Sequence, residues 1–364
     1  MNTLQNLLED AENGRRLTTA EAQSLFEEAD LLEVGQAAAK VVQQRFPANT
    51  ATFIIDRNIN YTNICISRCR FCAFYRERSS PEAYLLTQRE IYSKIEEALA
   101  QGATQIMLQG GLHPDLDLDF FVSLLKGIKD NYPITVHSFS PPEICHIAAV
   151  SQVSVRKVLQ KLAEAGLDSL PGGGAEILVD RVRSQISPKK ISAKQWLEVM
   201  EEAHNLGMAS TATMMMGTVE TPAERFEHLE KIRSLQDRTS GFRGFIPWTF
   251  RSENTDLSGQ DISPMEYLKF LAVARLYLDN FPHIQGSWLT QGKTVGQLSL
   301  CFGADDLGSI MLEENVVRAA GCENQISLEE MINLIRQTGK IPAQRDTEYT
   351  ILKFHDQKGG DHGV

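Results

Sequence analysis

From residue 53 onward the sequence repeats one pattern: a short apolar or β-branched run, a loop, and a stretch with helical periodicity. The runs that we predict as strands are 59–66, 104–108, 134–139, 169–177, 209–216, 244–250 and 284–288. Strands that alternate with helices predict a parallel sheet. Seven or eight such units over roughly 250 residues favour an α/β fold of the (β/α)8 TIM-like barrel type, full or near-complete. A doubly wound open sheet is the alternative.

The predicted helices begin at recognisable capping sequences. In a capping box, a Ser or Thr and a Glu or Gln three residues later satisfy each other's backbone N–H groups. The pairs that fit are Thr18/Glu21, Thr87/Glu90, Ser192/Gln195, Thr221/Glu224, Ser263/Glu266 and Ser327/Glu330. Together with the strands, they predict an N-terminal helical cap over residues 1–48 and a core barrel over 49–290. A C-terminal segment, 291–364, is predicted to complete or cap the barrel.

Three of the six cysteines lie within eight residues, as Cys65, Cys69 and Cys72 in a Cys-x3-Cys-x2-Cys spacing. Their loop follows the first predicted strand, and the chemistry of such barrels lies at the C-terminal ends of the strands. A structural zinc site needs four protein ligands, and the next candidates in the sequence are His113 and Cys145. An iron–sulfur cluster held by only three thiolates leaves one iron open for another ligand. The other three cysteines are predicted not to bind metal.

Other predicted strand ends carry small or polar residues that suit a ligand site. Gly110 and Gly111 follow the second strand, where missing side chains let backbone groups approach a small molecule. A simple turn is the alternative reading of this pair. Ser138 lies at the end of the third strand, where it could face a ligand or belong to the cap of the next helix. Glu176 follows a glycine triplet and offers a lone carboxylate, which could instead pair with a nearby arginine.

The composition argues against several classes of protein. Of 364 residues, 47 are Asp or Glu and 36 are Lys or Arg, for a net charge of −11. A nucleic-acid surface, which needs clustered Lys and Arg, is therefore not expected. The acidic first residues are unlike a signal peptide, and no apolar run approaches the ~20 residues that cross a membrane. Because cysteines grouped for a metal suit a reducing compartment, we expect a soluble cytoplasmic protein without membrane partners.

The cysteine spacing, with Phe71 directly before the third cysteine, resembles the radical S-adenosylmethionine (SAM) superfamily. The resemblance implies a [4Fe–4S] cluster held by Cys65, Cys69 and Cys72, with SAM bound at the open iron. One electron from the cluster then cleaves SAM to a 5′-deoxyadenosyl radical. The residues that we assign to cofactor binding on this basis are Phe71, Gly110, Gly111, Ser138 and Glu176.

Three longer strings, 60–76, 169–178 and 213–221, resemble one branch of this superfamily. The branch contains the two radical enzymes of the futalosine route to menaquinone and the enzymes that make the deazaflavin chromophore F0. Within it, 244–250 and 341–349 are most similar to the enzymes that cyclise dehypoxanthine futalosine. The resemblance implies this compound as the small-molecule substrate. It also implies an electron donor such as flavodoxin or ferredoxin.

Two tasks of that reaction need further side chains. The resemblance implies removal of the ribose C4′ hydrogen, ring closure on the benzoate, and loss of one electron and one proton. The substrate carboxylate suits a bidentate arginine, for which Arg345 is the first candidate and Arg251 the second. The aryl proton needs a base, for which Glu220, Asp305 and Asp306 are the candidates.

Alternatives of three kinds remain open at this point. An aminofutalosine synthase or a subunit of F0 synthase would use the same fold and the same cofactors. A non-catalytic iron–sulfur electron carrier would normally fill every cluster position with a protein ligand. A zinc-stabilised binding protein would hold the cysteines without iron.

Overall fold

The computed structural model describes residues 4–46 and 48–355. Its helices are α1 Leu4–Glu12, α2 Thr19–Glu28, α3 Leu31–Arg45, α4 Gln88–Ala100, α5 Leu118–Asn131, α6 Pro141–Val150, α7 Val155–Glu164, α8 Asp180–Ile186, α9 Ala193–Asn205, α10 Pro222–Thr239, α11 Pro264–Tyr277, α12 Lys293–Ser299, α13 Val316–Ala319 and α14 Leu328–Gln337. Its strands are β1 Thr50–Ile54, β2 Asp56–Ile59, β3 Gln105–Leu108, β4 Thr135–Val136, β5 Ser210–Met216, β6 Phe242–Thr249, β7 His283–Ile284, β8 Asp306–Ser309, β9 Ile341–Arg345 and β10 Ile351–Phe354.

The parallel strands close into a barrel. The wall consists of three arcs, β2–β3–β4, β5–β6–β7 and β1–β8. Only Ile55 separates β1 from β2, so these two strands run as one extended stretch. The bridges that join the remaining arcs are His137 to Ser169, Leu170 to Ser210 and Gln285 to Asp306. When β1 and β2 are counted as one, the wall has eight positions, because residues 169–170 add a position between β4 and β5. This confirms the predicted TIM-like barrel and excludes the open sheet.

Several strand boundaries differ from the predicted ones. β2 ends at Ile59, and the rest of predicted strand 59–66 runs in the cysteine loop. Predicted strand 169–177 contributes only bridges at its first two residues. Pro171 then lacks an N–H for the ladder, and the glycines after it add no side chains to pack. Predicted strand 284–288 is reduced to the two residues of β7. β1, β8, β9 and β10 have no counterpart among the predicted strands.

The helices form as their capping residues predict. Complete capping boxes are present at Thr18, Thr87, Ser192, Thr221 and Ser327. At Ser263 the side chain accepts from Glu266 N–H without the reciprocal bond. The N-terminal helices pack on the barrel through α3 against α11 and α2 against α10 and α11. Within residues 4–46 and 48–355, no helix combines the length and apolarity needed to cross a membrane.

The C-terminal hairpin reaches the N-terminal end of the barrel. β9 runs parallel to β1, and β10 returns antiparallel to β9. In the turn between them, Thr347 Oγ1 donates to Gln105 Oε1 at 2.7 Å, and Tyr349 stacks on His283 with ring centroids 3.7 Å apart. Gln105 and His283 are the first residues of β3 and β7. The turn therefore lies across the bottom of the barrel, while the division of the chain at 48 and 290 remains a prediction.

Candidate active site

A cavity of about 390 Å³ occupies the centre of the barrel and extends from the cysteine loop to the β9–β10 turn. Its upper part, at the C-terminal ends of the strands, is called the mouth. The mouth is lined by Cys65, Cys69, Phe71, Cys72, Gly110, Gly111, Glu176 and Lys190. Its lower part, around the first residues of β2, β3 and β6, the residue after β4 and the β9–β10 turn, is called the floor. The floor is lined by Asp56, Gln105, His137, Arg243, Arg345, Thr347 and Tyr349.

The cysteine loop brings three thiols to the mouth. The loop is fixed by backbone hydrogen bonds from Cys65 N–H to Arg76 O at 3.2 Å and from Cys72 N–H to Cys69 O at 3.1 Å. Burial raises the pKa of Cys72 to about 11 and also raises the pKa of Cys69. Binding of iron at these positions would therefore release protons, since thiolates are the ligands.

The three thiols fit a cluster better than a single ion. Within the described part of the chain, no three Cys, His, Asp or Glu side chains surround one position that could hold a metal ion. A [4Fe–4S] cluster does not require that arrangement, because each thiolate binds a different iron. Since the cysteine loop supplies three thiolates, one iron would be left for a non-protein ligand.

Gly110 and Gly111 line the mouth, but the chain itself already requires them. A Cβ atom on Gly110 would lie 2.7 Å from the Tyr61 ring, and one on Gly111 would lie 2.3 Å from Ile64 O. Gly110 N–H also donates to Glu143 Oε1 at 3.0 Å. Close packing of the protein therefore accounts for both glycines, and contact with SAM at this place remains a prediction.

Glu176 offers the mouth an acceptor that has no partner. Its backbone φ of 40° lies in the left-handed region, and its Oε1 accepts from Lys190 Nζ at 2.7 Å. Its Oε2 is buried without a hydrogen-bond partner among the described residues. A buried polar atom that is left unpaired is costly, so this carboxylate oxygen suits a ligand hydroxyl or ammonium group. Lys190 also lies over the Phe71 ring, 5.0 Å from its centroid.

Neither arginine considered as an alternative partner pairs with Glu176. Arg181 pairs with Glu224, and Arg183 donates to backbone carbonyls, including Ala175 O at 2.6 Å. The residue that pairs with Glu176, Lys190, follows α8 and is not indicated by any sequence motif.

At the end of the third predicted strand, 134–139, His137 lines the cavity and Ser138 does not. Ser138 is fully buried, and its Oγ accepts from Leu108 N–H at 2.8 Å. Its side chain does not line the cavity, because successive side chains on an extended segment point to opposite sides. Ser140 and Glu143 form the helix cap that was the alternative for this segment, with Ser140 N–H donating to Glu143 Oε2 at 2.7 Å.

The two candidate arginines lie in different places. Arg345 lines the floor, where its Nε donates to Asp306 Oδ2 at 2.6 Å and its Nη2 to Asp306 Oδ1 at 3.0 Å. Its guanidinium is also 3.8 Å from the Tyr349 ring centroid. Because the fork of Arg345 is already bound bidentately, it is poorly placed to bind a substrate carboxylate as well. Arg251 is exposed outside the cavity and donates to Thr290 O.

The three base candidates do not line the cavity. Glu220 accepts from Gly217 N–H at 2.7 Å and from Thr218 N–H at 2.8 Å, so it fixes the loop after β5. Asp305 is bound by Arg275 and His283. Asp306 is fully buried behind Arg345. Since each carboxylate is held by buried partners, these positions do not favour a role as the base.

Two family models match the chain. The model described as "Radical SAM superfamily" matches residues 59–232. The model described as "CofH/MqnC C-terminal region" matches residues 239–358. The first match contains the cysteine loop and the mouth, and the second contains Arg243 and the β9–β10 hairpin of the floor.

Relatives of similar length support the same grouping. "Cyclic dehypoxanthine futalosine synthase" of Streptomyces coelicolor is 48% identical over 363 residues, which cover 98% of this chain and 91% of the relative. The protein with the same name from Halalkalibacterium halodurans is 46% identical over 358 residues, covering 98% and 97%. The crystal structure of methylornithine synthase has a TM-score of 0.73 at 20% identity, covering 94% of this chain and 97% of the other. That last similarity shows the fold alone.

Proposed function

Since this chain belongs to the radical SAM superfamily and, within it, to the CofH/MqnC family, we propose that it cyclises dehypoxanthine futalosine in menaquinone biosynthesis. The chain is a radical SAM enzyme, and the cofactors of that superfamily are a [4Fe–4S] cluster and SAM. The observation that carries the choice of reaction is identity of 46–48%, over nearly the whole chain, to two enzymes with that name.

The reaction joins two parts of one substrate. When bound, the cluster and SAM supply a 5′-deoxyadenosyl radical that takes the hydrogen from C4′ of the substrate ribose. The ribose carbon would then bond to the neighbouring benzoate ring, which would regain aromaticity by releasing one proton to a base and one electron to the oxidised cluster or to the electron-carrier protein. The products are cyclic dehypoxanthine futalosine, 5′-deoxyadenosine and methionine. We propose that a flavodoxin or ferredoxin provides the reducing electron, in a cytoplasm that keeps the cysteines reduced.

The residues of the mouth have three tasks in this proposal. Cys65, Cys69 and Cys72 would hold the cluster at the C-terminal ends of the strands. Glu176 Oε2 would accept a hydrogen bond from a hydroxyl or ammonium group of SAM, which would relieve its unpaired state. Trp248 lines the same cavity and would help to keep water from the reacting carbons. Close placement of the two reacting groups would supply much of the acceleration.

The test follows one hydrogen. Substrate deuterated at ribose C4′ is incubated anaerobically with the enzyme, SAM and a reductant, and 5′-deoxyadenosine is analysed by mass spectrometry. We expect deuterium in 5′-deoxyadenosine, and one 5′-deoxyadenosine for each cyclised product.

Each other result has a distinct meaning. An adduct of the adenosyl group and its substrate, without 5′-deoxyadenosine, would assign the chain to the aminofutalosine synthase reaction. Unlabelled 5′-deoxyadenosine beside cyclised product would keep the substrate but move the site of hydrogen removal. Absence of product from a protein with an intact cluster would overturn the proposed substrate.

A further inference from the structure

The floor is more polar than the interior of a closed barrel usually is. Barrels of this type are normally filled by layers of branched apolar side chains. Here Asp56, Gln105 and His137 line the cavity at the starts or ends of three neighbouring strands. Thr211 and Gln285 continue this polar lining on the opposite wall. A buried polar surface of this kind suits a polar group of a ligand, because such groups need hydrogen-bond partners.

Three cationic side chains line the cavity within the described residues, and two of them are paired with buried carboxylates. Lys190 pairs with Glu176 at the mouth, 2.7 Å apart. Arg345 pairs with Asp306 through its Nε and Nη2, and its Nη1 donates to Asp346 O at 3.0 Å. The third, Arg243, lines the floor at the beginning of β6.

Arg243 has donor capacity that the protein does not use. Its Nη1 donates to Thr347 O at 3.2 Å, and its Nη2 pairs with Glu348. The Glu348 side chain is 62% exposed, so water competes strongly for this pair. Arg243 Nε is buried without any hydrogen-bond partner among the described residues. Burial lowers the pKa of Arg243, which an anionic ligand would counteract.

His137 lies on the same floor and is neutral. Its Nδ1 lies 2.7 Å from Ser169 Oγ. If the serine hydroxyl donates to Nδ1, the proton of the imidazole resides on Nε2, which has no bonded partner among the described residues. Burial, together with Arg243 and Arg345, lowers the pKa of His137 to about 3. In that tautomer the side chain is a neutral donor near two guanidinium groups.

We infer that the floor binds the carboxylate of the substrate's benzoate, with Arg243 as its cationic partner and His137 Nε2 as a second donor. This subsite rests on the proposed function and gives the substrate one orientation. The benzoate points towards the β9–β10 turn, and the ribose points towards the cysteine loop. Arg243 replaces Arg345 and Arg251 as the arginine that recognises the carboxylate.

The experiment compares binding of two ligands to anaerobic, cluster-loaded enzyme without reductant. One ligand is dehypoxanthine futalosine, and the other is its carboxamide, which lacks the negative charge. In the Arg243→Gln variant, affinity for the acid is expected to fall about tenfold to a hundredfold, because a charge-assisted bond is lost. Affinity for the carboxamide is expected to change little, so the preference for the acid disappears.

Two matched controls separate this effect from others. Glu348→Gln removes the carboxylate of the exposed Arg243–Glu348 pair and leaves Arg243 in place. Affinity for dehypoxanthine futalosine is therefore expected to be retained. Arg251→Gln removes one positive charge outside the cavity, and this variant is also expected to keep its affinity for the acid. If Arg243→Gln does not fold, His137→Phe serves as the second variant, with a smaller loss of acid affinity expected because a neutral donor is removed.

The outcomes separate the subsite from the proposed function. Suppose that the wild-type enzyme binds and cyclises the acid, but the Arg243→Gln variant still prefers the acid over the carboxamide. This result would overturn the subsite and leave the proposed function in place. An Arg243→Gln variant that loses affinity equally for the acid and the carboxamide, but binds SAM normally, would also overturn the subsite. Wild-type enzyme that neither binds nor converts the acid would reject the proposed substrate and the subsite with it.

Discussion

The mouth and the floor of the cavity differ in how the chain assembles them. The three cysteines and Phe71 of the mouth come from one loop of eight residues, and Gly110 and Gly111 follow the next barrel strand. The floor combines residues from the starts or ends of β2, β3, β4, β6 and β9 with the turn after β9. Its side chains are therefore brought together only when the barrel closes.

The difference teaches which kind of site can be located from sequence. A site built from one loop has a fixed spacing of ligand residues, and that spacing survives in the sequence. A site built from many strand ends depends on register and closure, since a shift of one residue turns a side chain to the other face. We expect the mouth to respond to substitution through its cofactors, and the floor through stability and substrate binding.

The largest expected effect is at the mouth, in Cys69→Ala. Removal of one of three thiolates leaves too few ligands for the cluster, so iron content after anaerobic reconstitution is expected to fall to nearly zero. Iron analysis and visible absorption measure this loss. Cys301→Ala, at an exposed cysteine, is the matched control and is expected to bind iron normally. Equal loss of iron in Cys145→Ala would show that the three-cysteine assignment is wrong.

The next largest effect is expected at the floor, in Arg345→Gln. Removal of the guanidinium leaves Asp306 buried without its cationic partner, which costs about 3–5 kcal/mol in free energy of unfolding. Denaturant unfolding of the purified protein measures this change. Arg251→Gln, at an exposed arginine, is expected to change stability by less than about 0.5 kcal/mol. A similar small change in Arg345→Gln would mean that the ion pair does not hold the floor together.

The sequence predicted the barrel and most of the residues that line the mouth, because both leave periodic or local patterns, but it missed Lys190. Strand and helix alternation indicated the fold, and the spacing of Cys65, Cys69 and Cys72 indicated the metal ligands. The fourth predicted strand, 169–177, was placed poorly, because a proline and glycines interrupt the ladder of hydrogen bonds after Leu170.

Of the residues that line the floor, the sequence indicated only Arg345. Asp305 and Asp306 are base candidates from the sequence, which cannot choose between them. Their buried ion pairs with Arg275 and Arg345 favour a structural role, while the choice of base stays a prediction. Arg243 directly precedes the 244–250 string, but nothing in the sequence shows that it lies on the cavity beside the β9–β10 turn.

A smaller effect is expected at the mouth, in Glu176→Gln. The variant loses a charged acceptor and also leaves Lys190 without its carboxylate. A charge-assisted bond contributes roughly 1.5–3 kcal/mol, so the dissociation constant of SAM is expected to rise about tenfold to a hundredfold. Equilibrium dialysis with cluster-loaded protein measures it. Glu227→Gln, with a half-exposed side chain on α10, is the control and is expected to bind SAM normally. Unchanged SAM affinity in Glu176→Gln would remove this residue from the cofactor site.

The smallest effect is expected at the floor, in Thr347→Val. Valine keeps the shape of the side chain but loses the bond to Gln105 Oε1, so the free energy of unfolding is expected to fall by about 1 kcal/mol. Thr347→Ser keeps the hydroxyl and is the matched control. Because the substitution lies at the opposite end of the cavity from the cysteine loop, SAM affinity and iron content are expected to stay at wild-type levels in both variants. A loss of SAM affinity in Thr347→Val, with stability unchanged, would show that the mouth depends on the floor and that the two regions are not separable.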